Sequence, residues 1–82
     1  MKNFLTERDI KERITELYNS NPNIHISISI KRPRLELSDV EAEIKGVYAH
    51  LFSIEARDKG FSQIHSVQYS DVLIGKVKIL EL

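Results

Sequence analysis

The apolar residues of this chain follow a helical spacing near its start and an alternating one afterwards, with the changeover at Asn19-Ser20-Asn21-Pro22-Asn23. Before it, Ile10, Ile14, Leu17 and Tyr18 stand at i, i+4, i+7 and i+8, one stripe of an amphipathic helix over residues 7–18. Thr6-Glu7-Arg8-Asp9 supplies its start, because the Thr6 hydroxyl can accept from the Asp9 amide, with Asp9 in the place usually held by Glu or Gln. Leu5 and Ile10 have the spacing of a hydrophobic staple, and Glu7 with Lys11 and Asp9 with Arg13 are i,i+4 pairs. Pro22 ends the helix by disfavouring the α region at Asn21.

The alternating part opens with Ile24, Ile26, Ile28 and Ile30 interleaved with His25, Ser27, Ser29 and Lys31, the pattern of a half-buried antiparallel strand, and Pro33 stops it. Alternation resumes at Val40 and runs through Ala42 and Ile44 to Tyr48, with Gly46 marking a bulge or sharp bend. A third strand covers residues 50–56 with Phe52 and Ile54 on one face, and Arg57-Asp58-Lys59-Gly60 is a turn in which Gly60 takes positive φ. A fourth strand covers 61–69. Ser70 and Asp71 cap a helical turn over 70–74, and a fifth strand covers 76–82 with Val77 and Ile79 opposite Lys76 and Lys78. A helix followed by five short meandering antiparallel strands, with no linker or repeat, is the plan of an SH3-like or Sm-like small barrel: a mainly β fold in a single domain over residues 1–82. Its expected core is Ile26, Ile28, Ile44, Phe52, Ile54, Val72, Val77 and Ile79, with Leu73 at the margin.

Composition adjusts this picture in two ways. The chain has no cysteine, so it folds without disulfides or a thiolate zinc site, which fits a reducing, cytoplasmic setting; no signal peptide or membrane span is expected. Twelve basic residues balance twelve acidic ones, so the molecule as a whole does not attract polyanions over a distance, and any nucleic-acid binding has to come from a local patch.

The one local patch in the linear sequence is Lys31-Arg32-Pro33-Arg34. Arginine suits bidentate contact with phosphate, and an exposed Tyr48 could stack a base, so Lys31, Arg32, Arg34 and Tyr48 are the candidate nucleic-acid-binding residues. The carboxylates of Glu36, Asp39, Glu41 and Glu43 follow closely and weaken that patch. The alternative is a solvated loop that blunts a strand end, with Tyr48 and Tyr69 closing a barrel rim or lying under the helix. His25, His50 and His65 have no metal-ligand spacing, so no metal is expected. There is no paired acid and base, nucleophile motif or phosphate-cradling glycine loop, so neither a catalytic residue nor a cofactor is expected.

In three pieces the chain resembles the Veg family of small proteins from low-GC Gram-positive bacteria. The pieces are Asp9-Ile10-Lys11 opening the helix; Gly46-Val47-Tyr48 followed by Leu51-Phe52 and Ile54; and Phe61 leading to Val67-Gln68-Tyr69-Ser70-Asp71-Val72-Leu73 with Val77 and Ile79. Veg-like proteins usually carry a basic loop rich in Gly-Gly-Arg after the first strand, where this chain has Lys31-Arg32-Pro33-Arg34 and then acids. The resemblance implies a small β-barrel tied to stimulation of biofilm formation through antagonism of a transcriptional repressor, with this chain a divergent relative. The expectation is therefore a non-enzymatic regulatory module with a protein partner, and the alternative is a small-barrel nucleic-acid binder using the weak basic loop. The helix stripe covers either its own barrel or a second subunit, which leaves monomer and homodimer both open.

Overall fold

The computed structural model describes residues 6–31, 34–58 and 60–82. In chain order the elements are α1 (Glu7–Ser20), β1 (Asn23–Lys31), β2 (Arg34–Val47), β3 (Leu51–Asp58), β4 (Phe61–Gln68), α2 (Tyr69–Leu73) and β5 (Val77–Ile79). The fold is mainly β: a helix, then five strands in one antiparallel sheet ordered β4-β3-β2-β1-β5. The sheet is not closed, since β4 and β5 are its two outer strands.

The capping box at the start of α1 forms in both directions. The Thr6 hydroxyl accepts from the Asp9 amide at 3.3 Å, and the Asp9 carboxylate accepts from the Thr6 amide at 3.2 Å. The staple expected from Leu5 lies outside the described residues. Asn21 is extended, as the following Pro22 requires, and its amide still closes the last turn on the Leu17 carbonyl at 2.9 Å. Ile10, Ile14 and Leu17 are buried against the sheet, but Tyr18 is 41% exposed. At about 100° per residue Tyr18 sits roughly 80° round the helix from Ile10, on the flank of the stripe, and its hydroxyl reaches the Lys45 carbonyl at 3.4 Å.

The inner face of the sheet carries Ile24, Ile26 and Ile28 from β1, Ala42 and Ile44 from β2, Phe52, Ile54 and Ala56 from β3, Val67 from β4, and Val77 and Ile79 from β5, all buried. Of the expected core, Val72 is only half-buried and Leu73 is exposed. Tyr69 takes the interior place instead. Its ring stacks on Phe52 with centroids 5.6 Å apart, and its hydroxyl donates to the Tyr48 carbonyl at 2.7 Å, so a large aromatic is buried with its polar end satisfied. Tyr69 therefore belongs to α2 and not to β4. The cap expected from Ser70 and Asp71 does not form: Gln68 is the N-cap residue, it makes no side-chain capping bond, and the Ser70 hydroxyl meets the Gln68 amide oxygen.

The largest departure from the sequence expectation is β2, which begins at Arg34 and not at Val40. Lys31 pairs directly with Arg34, so the first and last residues of the expected basic loop already belong to β1 and β2, and the acidic stretch is strand. The register then slips between Ile26 and Ile28: Ile28 faces Leu37, Ile26 faces Val40, and Ser38 and Asp39 together oppose Ser27. Asp39 adopts φ 50°, a left-handed conformation that Asp tolerates better than most side chains, and its amide donates to the Ser27 hydroxyl at 2.9 Å. A second slip follows between Ile44 and Gly46 against β3. Here the Tyr48 ring lies over the backbone: a Cβ at Gly46 would stand 2.5 Å from the Tyr48 hydroxyl oxygen, so a side chain at this position would have to push that exposed ring aside. Gly60 takes φ +84°, as the turn between β3 and β4 demands. β5 is short, three residues, with Leu80 and Glu81 already in a turn.

Candidate binding face

With α1 covering the inner face, the outer face of the sheet is open, and its charges fall in stripes. Antiparallel partners share a face, so the register assigns Lys78 beside Ser27, Glu36 beside Ser29, Glu41 beside His25 and Arg57 beside Glu41. The β5 side is basic. Ser29, Ile30, Lys31 and Lys76 line one cleft, and Ser27, Ser29, Lys76 and Lys78 contribute to the next. Lys31, Lys76 and Lys78 carry no ion pair among the described residues. The β2 side is acidic, with Glu36, Asp39 and Glu41 in succession. Toward β3 the acids are matched: Lys45 pairs with Glu43 at 3.3 Å and Glu55 at 3.5 Å, and Arg57 reaches Glu43 at 3.8 Å.

The candidates named from sequence do not form one site. Lys31 and Arg34 pair at the end of the β1–β2 ladder, where Arg34 is drawn to Glu36 at 3.5 Å; Arg32 lies outside the described residues. Tyr48 follows the far end of β2, is 56% exposed, and stands beside Gly46, away from that pair. What the sequence reading missed is that β5 joins β1, which brings Lys76 into the cleft with Lys31 and sets Lys78 beside Ser27 further along the same strand. The available signal was the alternation of Lys76 and Lys78 with Val77 and Ile79, which put both lysines on the outer face but did not say which strand they joined.

The histidines are dispersed. His50 is exposed, and His65 faces Ile54 across the β3–β4 ladder with its Nε2 buried and without a hydrogen-bond partner among the described residues. Among those residues no group of three or more His, Cys, Asp or Glu could hold a metal ion, and no helix is long and apolar enough to cross a membrane.

His25 ties the C-terminal segment to the sheet. Glu81 accepts from the His25 backbone amide and meets its Nδ1, each at 2.8 Å, while the Glu81 carbonyl accepts from Arg13 on α1 at 3.1 Å. The hydrogen bond to Glu81 raises the His25 pKa above 6.5, helped by the fields of Glu81, Asp39 and Glu41 and opposed by slight burial. Burial acts to raise Glu81, but its bonds from the His25 ring and amide outweigh that and leave its pKa below 4.5. A raised histidine contributes stability that is complete below 6.5 and lost as pH rises through the folded value; a lowered glutamate contributes stability present above 4.5 and lost as pH falls through its folded value. The pair is therefore strongest between those two values. Melting temperatures of the wild type and His25→Gln are expected to converge as pH rises above 6.5 and to differ most between 4.5 and 6.5; a constant difference from that window upward would remove the ionic role of His25.

No model of a known protein family matches the sequence, and no curated protein matches it. The fold and the face define the class: a helix-capped five-stranded antiparallel domain with an open, charge-striped sheet face.

Proposed function

We propose that this chain is a non-enzymatic regulatory module that holds a protein partner on the open face of its sheet, in the manner of a Veg-like small barrel. Support for the barrel kinship is the position of α2, a short helix linking the outer strands β4 and β5 at the junction where SH3-like and Sm-like barrels close. The observation that carries the binding reading is the charge striping: unpaired Lys31, Lys76 and Lys78 on one side, and Glu36, Asp39 and Glu41 beside them. A uniformly anionic strand laid on the lysines would meet the carboxylates on β2 within about one Debye length, whereas a protein surface can oppose each stripe with its complement. Such a face suits a regulator that takes part in biofilm-associated transcriptional control, the role implied by the Veg resemblance.

Affinity capture from a native lysate, with and without nuclease, tests the reading, with the double change Lys76→Glu and Lys78→Glu as the control. Both side chains are exposed, so the double variant is expected to fold. The expected result is a protein that survives nuclease and is lost from the charge-reversed variant. Retention that disappears with nuclease would instead favour the nucleic-acid reading, and its salt slope would then fall by roughly 0.7 to 0.9 for each phosphate contact removed. Retention indifferent to both treatments would remove this face from the function.

A further inference from the structure

The two outer strands are built differently. β5 is short, with Lys76 just before it and Lys78 at its centre, the usual protection of a sheet edge against unwanted pairing. β4 has none of that protection. It runs eight residues, Phe61–Gln68, in unbroken register with β3, and it contains no charged residue and no proline. Two of its apolar side chains stand in solvent, Phe61 at 72% and Ile64 at 63% exposure.

We propose that β4 is the seam of a two-fold symmetric homodimer, in which it pairs antiparallel with β4 of a second copy about an axis at Ile64. The choice of partner comes from the strand itself. Phe61-Ser62-Gln63-Ile64-His65-Ser66-Val67 is a chemical palindrome: apolar, hydroxyl, polar, isoleucine, polar, hydroxyl, apolar. A two-fold axis at Ile64 sets residue i opposite residue 128 − i, so Ile64 meets its own copy, Ser62 meets Ser66, Gln63 meets His65 and Phe61 meets Val67. Each is a favourable cross-strand match, and a self-complementary patch is what an isologous interface requires. No like charges oppose one another in this register.

The pairing also suits the faces. Ser62, Ile64 and Ser66 lie on the outer face with Glu55 and Ser53, so the isoleucine contact forms there. Phe61, Gln63, His65 and Val67 lie on the inner face with Ala56, Ile54 and Phe52, so the exposed Phe61 ring is carried to the end of the second copy's strand where Val67 closes the core. Gln63 of the second copy then stands opposite His65, the histidine whose Nε2 has no partner. Pairing would make one continuous ten-stranded sheet from two five-stranded ones.

A single strand pair buries less than the roughly 800 Å² per partner of a standard interface, so a micromolar dissociation constant is expected. Sedimentation equilibrium should show a dimer by roughly 100 µM that dissociates on dilution. Ile64→Lys places two lysines face to face on the axis and should give a folded monomer with an unchanged circular dichroism spectrum; mixing it with Ile64→Glu should restore a dimer.

Because the natural chain has no cysteine, the register can be read directly. Under mild oxidation Ile64→Cys should cross-link to itself. Neither Ser62→Cys nor Ser66→Cys should do so alone, but the two mixed together should. A wild type that stays monomeric at roughly 1 mM, well above the expected constant, would overturn the proposal. So would a dimer untouched by Ile64→Lys, or cross-linking with no preference for position 64.

Discussion

Phe52→Ala is expected to lower the unfolding free energy by about 3 to 5 kcal/mol, the cost of removing a buried phenylalanine and leaving its cavity. A chain of this size has roughly 4 to 12 kcal/mol in total, so the variant should be substantially unfolded in mild urea. The magnitude follows from where the ring sits. Phe52 has no exposed surface, pairs with Val47 on one side and Val67 on the other, and stacks against Tyr69. It is thus the point at which β2, β3, β4 and α2 are held together. Urea unfolding followed by tyrosine fluorescence measures the effect, and a midpoint equal to that of the wild type would show the ring to lie outside the core.

Ile14→Ala is expected to cost about 2 to 5 kcal/mol and to do so for the entire domain. Ile14 is fully buried at the centre of the stripe that docks α1. A helix of 14 residues has little stability alone, and among the described residues the inner face of the sheet has no other helix of comparable length to cover it. Helix and sheet should therefore melt in one transition at a lower temperature. Loss of the helical signal first, with the sheet transition left in place, would mean that α1 is an accessory and not the lid of the core.

The elements that were legible in the sequence are those in which one period runs without interruption. Thr6 and Asp9 gave the start of α1, Pro22 gave its end, and the four isoleucines gave β1 with the correct face inward. The sequence pattern predicts too short a β2 because its alternation changes phase. Leu35 and Leu37 are odd-numbered and Val40, Ala42 and Ile44 are even-numbered, so a reading that expects unbroken parity sees a loop between them. The extra residue at Asp39 accounts for the change. The parity of Tyr69 agrees with Val67 and so predicts strand, but burying a ring of that size against Phe52 is achieved by turning the chain into α2.

The candidate site was legible only in part, and for a different reason. Lys31 and Arg34 are close in sequence and were found; Lys76 reaches Lys31, and Lys78 reaches Ser27, only through the β1–β5 pairing, which joins residues about fifty positions apart and leaves no local signature. Only chemistry groups Tyr48 with the basic residues, and the length of β2 separates it from them.

The slip at Asp39 also bears on how this chain can change length over generations. Losing Asp39 would leave Ser27 opposite Ser38 and convert the bulge into a regular ladder, with Ala42 and Ile44 still facing inward against β1 and β3. Losing one residue between Val40 and Ile44 would instead turn the inward side chains on one side of the gap out to solvent. Descendants of this sequence that differ by a single residue in β2 should therefore differ at residues 38–39 or near Lys45, the two places where the strand already carries one residue more than its neighbour.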